Sequence, residues 1–313
     1  MHTTVFFMML ALVLFGSASL SCRTESTDDR VVPEGIPEAV AETSDAIMAE
    51  SADGMATLTT HYDFASKPAI ILTLPSFLRE VSGIALTKDG RLFAHNDERG
   101  AVYRIDPATG KMIKQFAVGE RRLQEDLEDI AIVGDTFYLV SSKGDLFAFR
   151  EGRGKENVPY MAHKTGLTAK NDVEGLCYDP ETGRLLLACK AYPGPDLVDA
   201  RAVYAFDLRT RKLLPRPRFL IDLKDLKKRF GLKEFMPSGI ARHPATGNFF
   251  VISSVGNSLI ELSPGGKVLS YTGLPKKYHE QPEGIVIDKD GRLLIANEGP
   301  RKGTIVVYKA GKK

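Results

Sequence analysis

The sequence predicts an all-β fold, a five-bladed β-propeller of four-stranded antiparallel blades closed by an N-terminal strand. Three observations carry this. A short motif recurs five times in the 313 residues: Val81-Ser82-Gly83-Ile84-Ala85, Leu127-Glu128-Asp129-Ile130-Ala131, Val173-Glu174-Gly175-Leu176-Cys177, Pro237-Ser238-Gly239-Ile240-Ala241 and Pro282-Glu283-Gly284-Ile285-Val286. Each copy is followed by turn residues and a second apolar run, which is the signal of a hairpin. The last copy runs out after its third strand at Tyr308, while an unclaimed apolar strand, Ala69 to Leu74, stands at the other end. Blades of this kind cannot stop in the open, because an unpaired edge is a site of aggregation.

The first 22 residues stand apart from this pattern. Val5 to Phe15 is apolar, Gly16-Ser17-Ala18-Ser19 is small, and Leu20-Ser21-Cys22 follows. An apolar core before small residues is the layout of an export signal and is short for a membrane span. The cysteine in that place predicts a lipoprotein signal over residues 1–22, with Cys22 as the lipid attachment site; a plain secretory signal is the alternative. Residues 23–66 are expected to be a flexible acidic linker. Between residues 23 and 56 there are nine acidic and two basic side chains among many Ser, Thr and Ala, a composition that cannot bury enough apolar surface to fold.

The propeller is expected over residues 67–313. Its second strands read Leu92-Phe93-Ala94-His95, Phe137-Tyr138-Leu139-Val140, Leu185-Leu186-Leu187-Ala188, Phe249-Phe250-Val251-Ile252 and Leu293-Leu294-Ile295-Ala296. Third strands follow, as in Ala101-Val102-Tyr103-Arg104-Ile105 and Thr304-Ile305-Val306-Val307-Tyr308, with weaker fourth strands such as Met112 to Phe116. The interval between the third and fourth motifs is longer than the rest. Its extra residues, around Asp222 to Phe235, read as a charged helix or loop and not as a sixth blade. Cys177 and Cys189 are expected to be free buried thiols, with Cys177 facing Leu186 and Cys189 facing Glu174.

In a propeller the innermost strands line a central channel, so equivalent positions form rings. The residue before the motif glycine gives Ser82, Glu128, Glu174, Ser238 and Glu283; two residues earlier stand Glu80, Asp126, Asp172, Met236 and Gln281. Six carboxylates therefore gather at one mouth: Glu80, Asp126, Glu128, Asp172, Glu174 and Glu283. The ends of the second strands add Asp97, Asn297 and Glu298. Crowded carboxylates repel one another, so a cation is expected among them. A flexible oxygen-rich set suits Ca2+, with six to eight ligands at about 2.3–2.6 Å, better than magnesium. Lys143 or Lys190 could neutralise the ring instead.

Glu-x-Ser-Gly-Ile, Asp-Leu-Glu-Asp-Ile, Asp-Val-Glu-Gly-Leu and Pro-Glu-Gly-Ile, with Asn96-Asp97-Glu98 after a second strand, resemble the SdiA-regulated (YjiK-like) family, which is distantly NHL-like. The resemblance covers roughly residues 68 to 310. It implies a five-bladed propeller with a calcium site, carried over to Asp126, Glu128, Asp172 and Glu174, and no established activity. Blade two departs from the signature with Asp129 in place of glycine.

The charge pattern has no dense basic cluster interleaved with aromatics, so no nucleic-acid partner is expected. His61, His95, His163, His243 and His279 lack zinc spacing. There is no nucleophile elbow, and no phosphate-binding glycine loop. The reading is a monomeric, calcium-binding propeller anchored by lipid to a membrane of the bacterial cell envelope, with a protein or small-molecule partner at its mouth. The alternative is a metal-dependent hydrolase, lactonase-like or phosphoesterase-like, with Glu283 or Glu298 as base.

Overall fold

The computed structural model describes residues 62–97 and 99–311. Cys22 and nearly all of the expected linker lie outside them. Five small sheets are arranged as five blades. Blade one holds Val81–Leu86, Leu92–Asn96, Arg99–Ile105 and Met112–Val118, with Asn157–Val158 added in parallel at its outer edge. Blade two holds Leu127–Val133, Thr136–Ser141, Leu146–Arg150 and Tyr160–His163. Blade three holds Val173–Asp179, Arg184–Cys189 and Ala200–Asp207, and its outer strand is split into Lys212–Leu213 and Phe219–Asp222. Blade four holds Pro237–Arg242, Phe249–Ser253, Ser258–Leu262 and Val268–Gly273. Blade five holds Gln281–Ile287, Leu293–Glu298 and Thr304–Tyr308.

The expected closure is present. Ile70–Thr73 pairs antiparallel with Thr304–Tyr308, Ile71 facing Val306, and completes blade five. Each inner strand packs beside the next, and the last packs beside the first, so the ring is continuous.

Strand alternation explains how the ring holds together. Successive side chains leave opposite faces of a strand. In blade four, Phe249 and Val251 pack toward blade three, while Phe250 and Ile252 pack toward blade five. Five apolar clusters result, one at each blade interface. Between blades one and two the cluster is aromatic: Phe93 and Phe137 meet edge to face at 4.9 Å.

The charged segment after Asp222 is a helix, Leu223–Phe230. Asp222 caps it, its carboxylate accepting from the backbone N–H groups of Lys224 (2.7 Å) and Asp225 (3.1 Å). Gly231, at φ +70°, ends it in the left-handed conformation that glycine adopts without penalty. Leu226 is buried against blades three and four.

The packed chain begins earlier than residue 67. Tyr62 and Phe64 are buried against Phe250 and Tyr308, and the Tyr62 hydroxyl donates to the Gly291 carbonyl at 3.0 Å. These two aromatics follow the acidic stretch without any turn signal. Cys177 and Cys189 are free and buried, and Cys177 faces Leu186 as expected. Cys189 faces Val173, not Glu174, for a reason that lies in the inner strands themselves.

Candidate functional site: the acidic channel mouth

Every inner strand carries a bulge at the same place. Its register against the second strand shifts between Val81 and Gly83, Leu127 and Asp129, Val173 and Gly175, Pro237 and Gly239, and Pro282 and Ile285. The residue skipped in the first four is Ser82, Glu128, Glu174 or Ser238; in blade five Glu283 and Gly284 are skipped together. A bulge re-aims a side chain that the regular ladder would hold across the sheet. Here it detaches the whole ring position from the ladders, and in blade three it moves Cys189 one place along. Period-two patterning gives no sign of it.

The glycine after the bulge lets neighbouring blades approach. A methyl group on Gly83 would lie 2.5 Å from the Asp129 carboxylate and 2.6 Å from the imidazole of His95. One on Gly284 would lie 3.0 Å from the backbone nitrogen of Ile84, where the ring closes. Asp129, the departure from the signature, uses the same gap differently. It is buried, and its carboxylate accepts from the N–H of Ile130 at 2.8 Å and from that of Leu176, in blade three, at 2.6 Å. It joins two blades where the other motifs use glycine. Past the bulge its inner strand continues in register through Val133. Burial pushes the Asp129 carboxyl well above the usual range despite those two bonds.

Above this level the ring glutamates come within electrostatic reach of one another. Burial raises Glu128 to about 9, helped by the charges of Glu174, Asp126, Asp172 and Glu283. Burial raises Glu283 to about 8, with Glu174 and Glu298 adding to it. Burial raises Glu298 to about 7, reinforced by Asp97 and Glu80. Glu174 is raised by burial too, less so because Lys190 opposes it. The Lys190 ammonium donates to Glu174 Oε1 at 2.6 Å. The Gln281 amide bridges Glu283 Oε1 at 3.0 Å and Glu298 Oε2 at 2.9 Å. Asp172 turns into the cluster with φ +54°, a conformation that Asp tolerates better than most residues.

Glu128, Glu174 and Glu283 of the expected inner tier thus stand within electrostatic reach, as do Glu298, Asp126 and Asp172, without forming a metal-holding cluster. Glu80 sits further out, paired with Arg79 at 2.8 Å, and touches the cluster through Glu298. Asn297 does not face the mouth. It is buried in blade five, its carboxamide oxygen 2.9 Å from His279 Nδ1, whose other nitrogen lies 2.8 Å from the Tyr308 hydroxyl. Ser238 donates to the Pro282 carbonyl at 2.7 Å and serves blade contact. Lys143 pairs with Glu125, outside the ring, at 3.2 Å. The Gln281 bridge escaped the sequence reading, although Gln281 stood in the outer tier. So did the approach of His95 and Asp129 to Gly83 beneath the mouth, which depends on how closely two blades approach.

Deeper in, the channel is apolar, lined by residues such as Ile84, Ile130, Leu176, Ile240 and Ile285, with a volume of about 120 Å3 and Arg242 among its lining residues. The acidic end is therefore a cup and not the entrance of a polar conduit. A hard cation suits the chemistry of the cup, since its donors are carboxylate oxygens and they outnumber the ammonium of Lys190 that is bonded among them. The arrangement is not preformed for one: among the described residues no three His, Cys, Asp or Glu groups stand close enough to hold a metal ion. Glu128, Glu174 and Glu283 would have to draw together, and Lys190 to leave Glu174.

Fold and site together define a five-bladed propeller with an acidic cup at one mouth. The chain belongs to the SdiA-regulated family, whose sequence profile matches residues 72–302. No curated protein matches the chain. Among solved structures, glutaminyl cyclase from Myxococcus xanthus is 12% identical, with 78% of this chain and 95% of that one covered and a TM-score of 0.51. A luciferin-regenerating enzyme is 10% identical over 78% of this chain and 97% of that one, with a TM-score of 0.49. A gluconolactonase from Xanthomonas campestris is 16% identical over 72% of each chain, with a TM-score of 0.47. At such identities the likeness to the cyclase is one of fold.

Proposed function

We propose that this protein is an exported, lipid-anchored binding module of the bacterial cell envelope whose acidic cup takes Ca2+ and presents the propeller mouth to a partner. The observation that carries the cation is electrostatic. Burial raises the Glu128 and Glu283 carboxyls at the bulged positions, and neighbouring charges add to it: Glu174, Asp126, Asp172 and Glu283 at Glu128, Glu174 and Glu298 at Glu283, with Lys190 as the ammonium bonded to Glu174. Such a set is relieved either by protons or by a cation. Calcium tolerates the irregular mixture of carboxylates and amide oxygens that the cup offers. When bound, the ion would neutralise the cup and fix its geometry; Glu128, Glu174 and Glu283 would hold it, and Gln281 would keep Glu283 and Glu298 oriented. Export and anchoring rest on the apolar run Val5 to Phe15 and on Cys22.

The test is thermal unfolding of the purified chain with millimolar CaCl2 and with chelator. A ligand that binds only the folded state raises the midpoint, so a rise that Glu128→Gln with Glu283→Gln abolishes is the expected result. An unchanged midpoint at saturating calcium would overturn the reading. One observation favours the hydrolase as a second reading: Glu298, at about 7, is poised for proton transfer at neutral pH and lines a cleft of about 300 Å3 beside Glu80 and Gln281. Turnover of a lactone or phosphoester panel that is lost in Glu298→Gln would support it.

A further inference from the structure

A second cavity lies away from the cup. It has a volume of about 590 Å3 and opens between blades two and three. Thr136 begins one strand there and Arg150 ends another, so the cavity sits at the hairpin-turn ends of the strands, on the face opposite the acidic mouth. A space of this size accommodates a small organic molecule.

Its walls are aromatic and its charge is positive. Tyr138, Tyr160, His163 and Phe206 line it, the His163 and Phe206 rings standing 5.7 Å apart. Tyr160 and Met161 are exposed at 41% and 52%, large apolar surface left open to solvent at its rim. Three charged side chains complete the lining. Glu151 is already engaged by Arg91 and Lys114. Arg150 meets the exposed Asp135, at 3.4 Å, a contact that water screens. Among the described residues Arg211 forms no ion pair; its exposed guanidinium touches the Met161 sulfur at 3.8 Å. It is also held at φ +56°, a conformation that a non-glycine residue takes at a cost. Both arginines are close enough to Tyr138 to pull its phenol downward against the stronger effect of burial. The cavity thus combines ring faces, an open apolar rim and a guanidinium without an ion-pair partner among the described residues.

We propose that this cavity binds a small aromatic monoanion, its ring among Tyr138, His163 and Phe206 and its carboxylate on Arg211. An aromatic body matches the ring faces. A planar carboxylate matches the two-pronged donor that Arg211 presents. The site is independent of the acidic cup, and neither needs the other to exist.

The test is calorimetric titration of the full chain with 2-naphthoate and with its uncharged counterpart, 2-naphthamide. The chain lacks tryptophan, so naphthyl fluorescence gives a second readout without overlap. The expected result is saturable binding of one naphthoate, at least tenfold tighter than the amide. Arg211→Gly removes the guanidinium while suiting the backbone at that position, so the folded state is kept; it should abolish the preference for the anion. Ala148→Phe, which fills the cavity floor, should weaken both ligands. Equal affinity for acid and amide, no binding at 5 mM, or a preference that survives Arg211→Gly would each overturn the proposal.

Discussion

Lys190 lies 2.6 Å from Glu174 and is the ammonium that the cup carries among its glutamates. Burial works against its charge, yet the Glu174 carboxylate raises it above the usual lysine range. The pair is more than two-thirds shielded from solvent on both sides, at 29% and 9% side-chain exposure. Lys190 therefore stands where an added cation would stand, as an internal counter-ion for a ring that would otherwise hold protons.

Replacing Lys190 by Met should have opposite effects on the ion-free and ion-bound protein. Breaking one partner of a shielded pair leaves Glu174 uncompensated, and a loss of about 1–2 kcal/mol is expected, visible as a midpoint lowered by a few degrees. Calcium would then meet less opposing charge, and its affinity should rise roughly threefold to tenfold. Calorimetry and melting on the same sample check both signs, and a fall in affinity would mean that Lys190 assists the ion.

Glu128 gives a stability prediction with a definite direction. Its carboxyl keeps the proton in the folded chain up to about pH 9, against an ordinary value of 4.5. Between those values the unfolded chain gives up a proton that the folded chain retains, so rising pH favours unfolding. Below 4.5 the penalty is absent; above 9 it is complete. Glu128→Gln should therefore stabilise the ion-free protein by about 1–3 kcal/mol at pH 8, a midpoint gain of roughly 3–10 °C, and by almost nothing at pH 4. Melting curves across that range decide it; a destabilised variant at pH 8 would show that Glu128 has a partner in solution.

The blades were legible because one motif recurs at the start of every inner strand, and the closing strand was legible because an edge at Tyr308 had to be covered. The ring residues followed from the same repetition. Geometry decided the rest. A bulge adds one residue without changing the hydrophobic pattern, so the displacement of Cys189 onto Val173 left no trace in the alternation. Asn297 belongs to the repeat position of a mouth residue, yet a hydrogen bond from its blade to His279 claims it. The burial of Tyr62 and Phe64 depends on a groove formed by residues more than 180 positions away, which local composition does not register.

The approach of blades one and two can be tested at Gly83. A Cβ there meets Asp129 at 2.5 Å and His95 at 2.6 Å, both within a fully buried layer. Gly83→Ala should cost about 2–4 kcal/mol, as overpacking at a close contact does, and lower the melting midpoint by roughly 5–12 °C. Gly83→Ala combined with Asp129→Gly removes the carboxylate clash but leaves those with His95 and with the Asp129 Cα at 2.8 Å, and it loses the bond to Leu176, so it should recover only part of the loss. Full recovery would mean that neither the remaining close contacts nor the loss of the Asp129 bond between blades two and three carries a cost.

Release of protons would tie the proposed calcium site to its carboxylates. Glu283 at about 8 and Glu128 at about 9 are largely protonated at pH 7. A cation that ligates their oxygens must displace those protons, so its binding is linked to pH. Below pH 8 the apparent affinity should climb by up to about a hundredfold per pH unit if two protons leave, then by about tenfold between 8 and 9, and level off above. Titrations in buffers of different ionisation heat count the protons directly: close to two at pH 7, and close to one once Glu283 is replaced by Gln. Calcium heats that do not change with buffer would place the ion away from Glu128 and Glu283, whatever its effect on the melting midpoint.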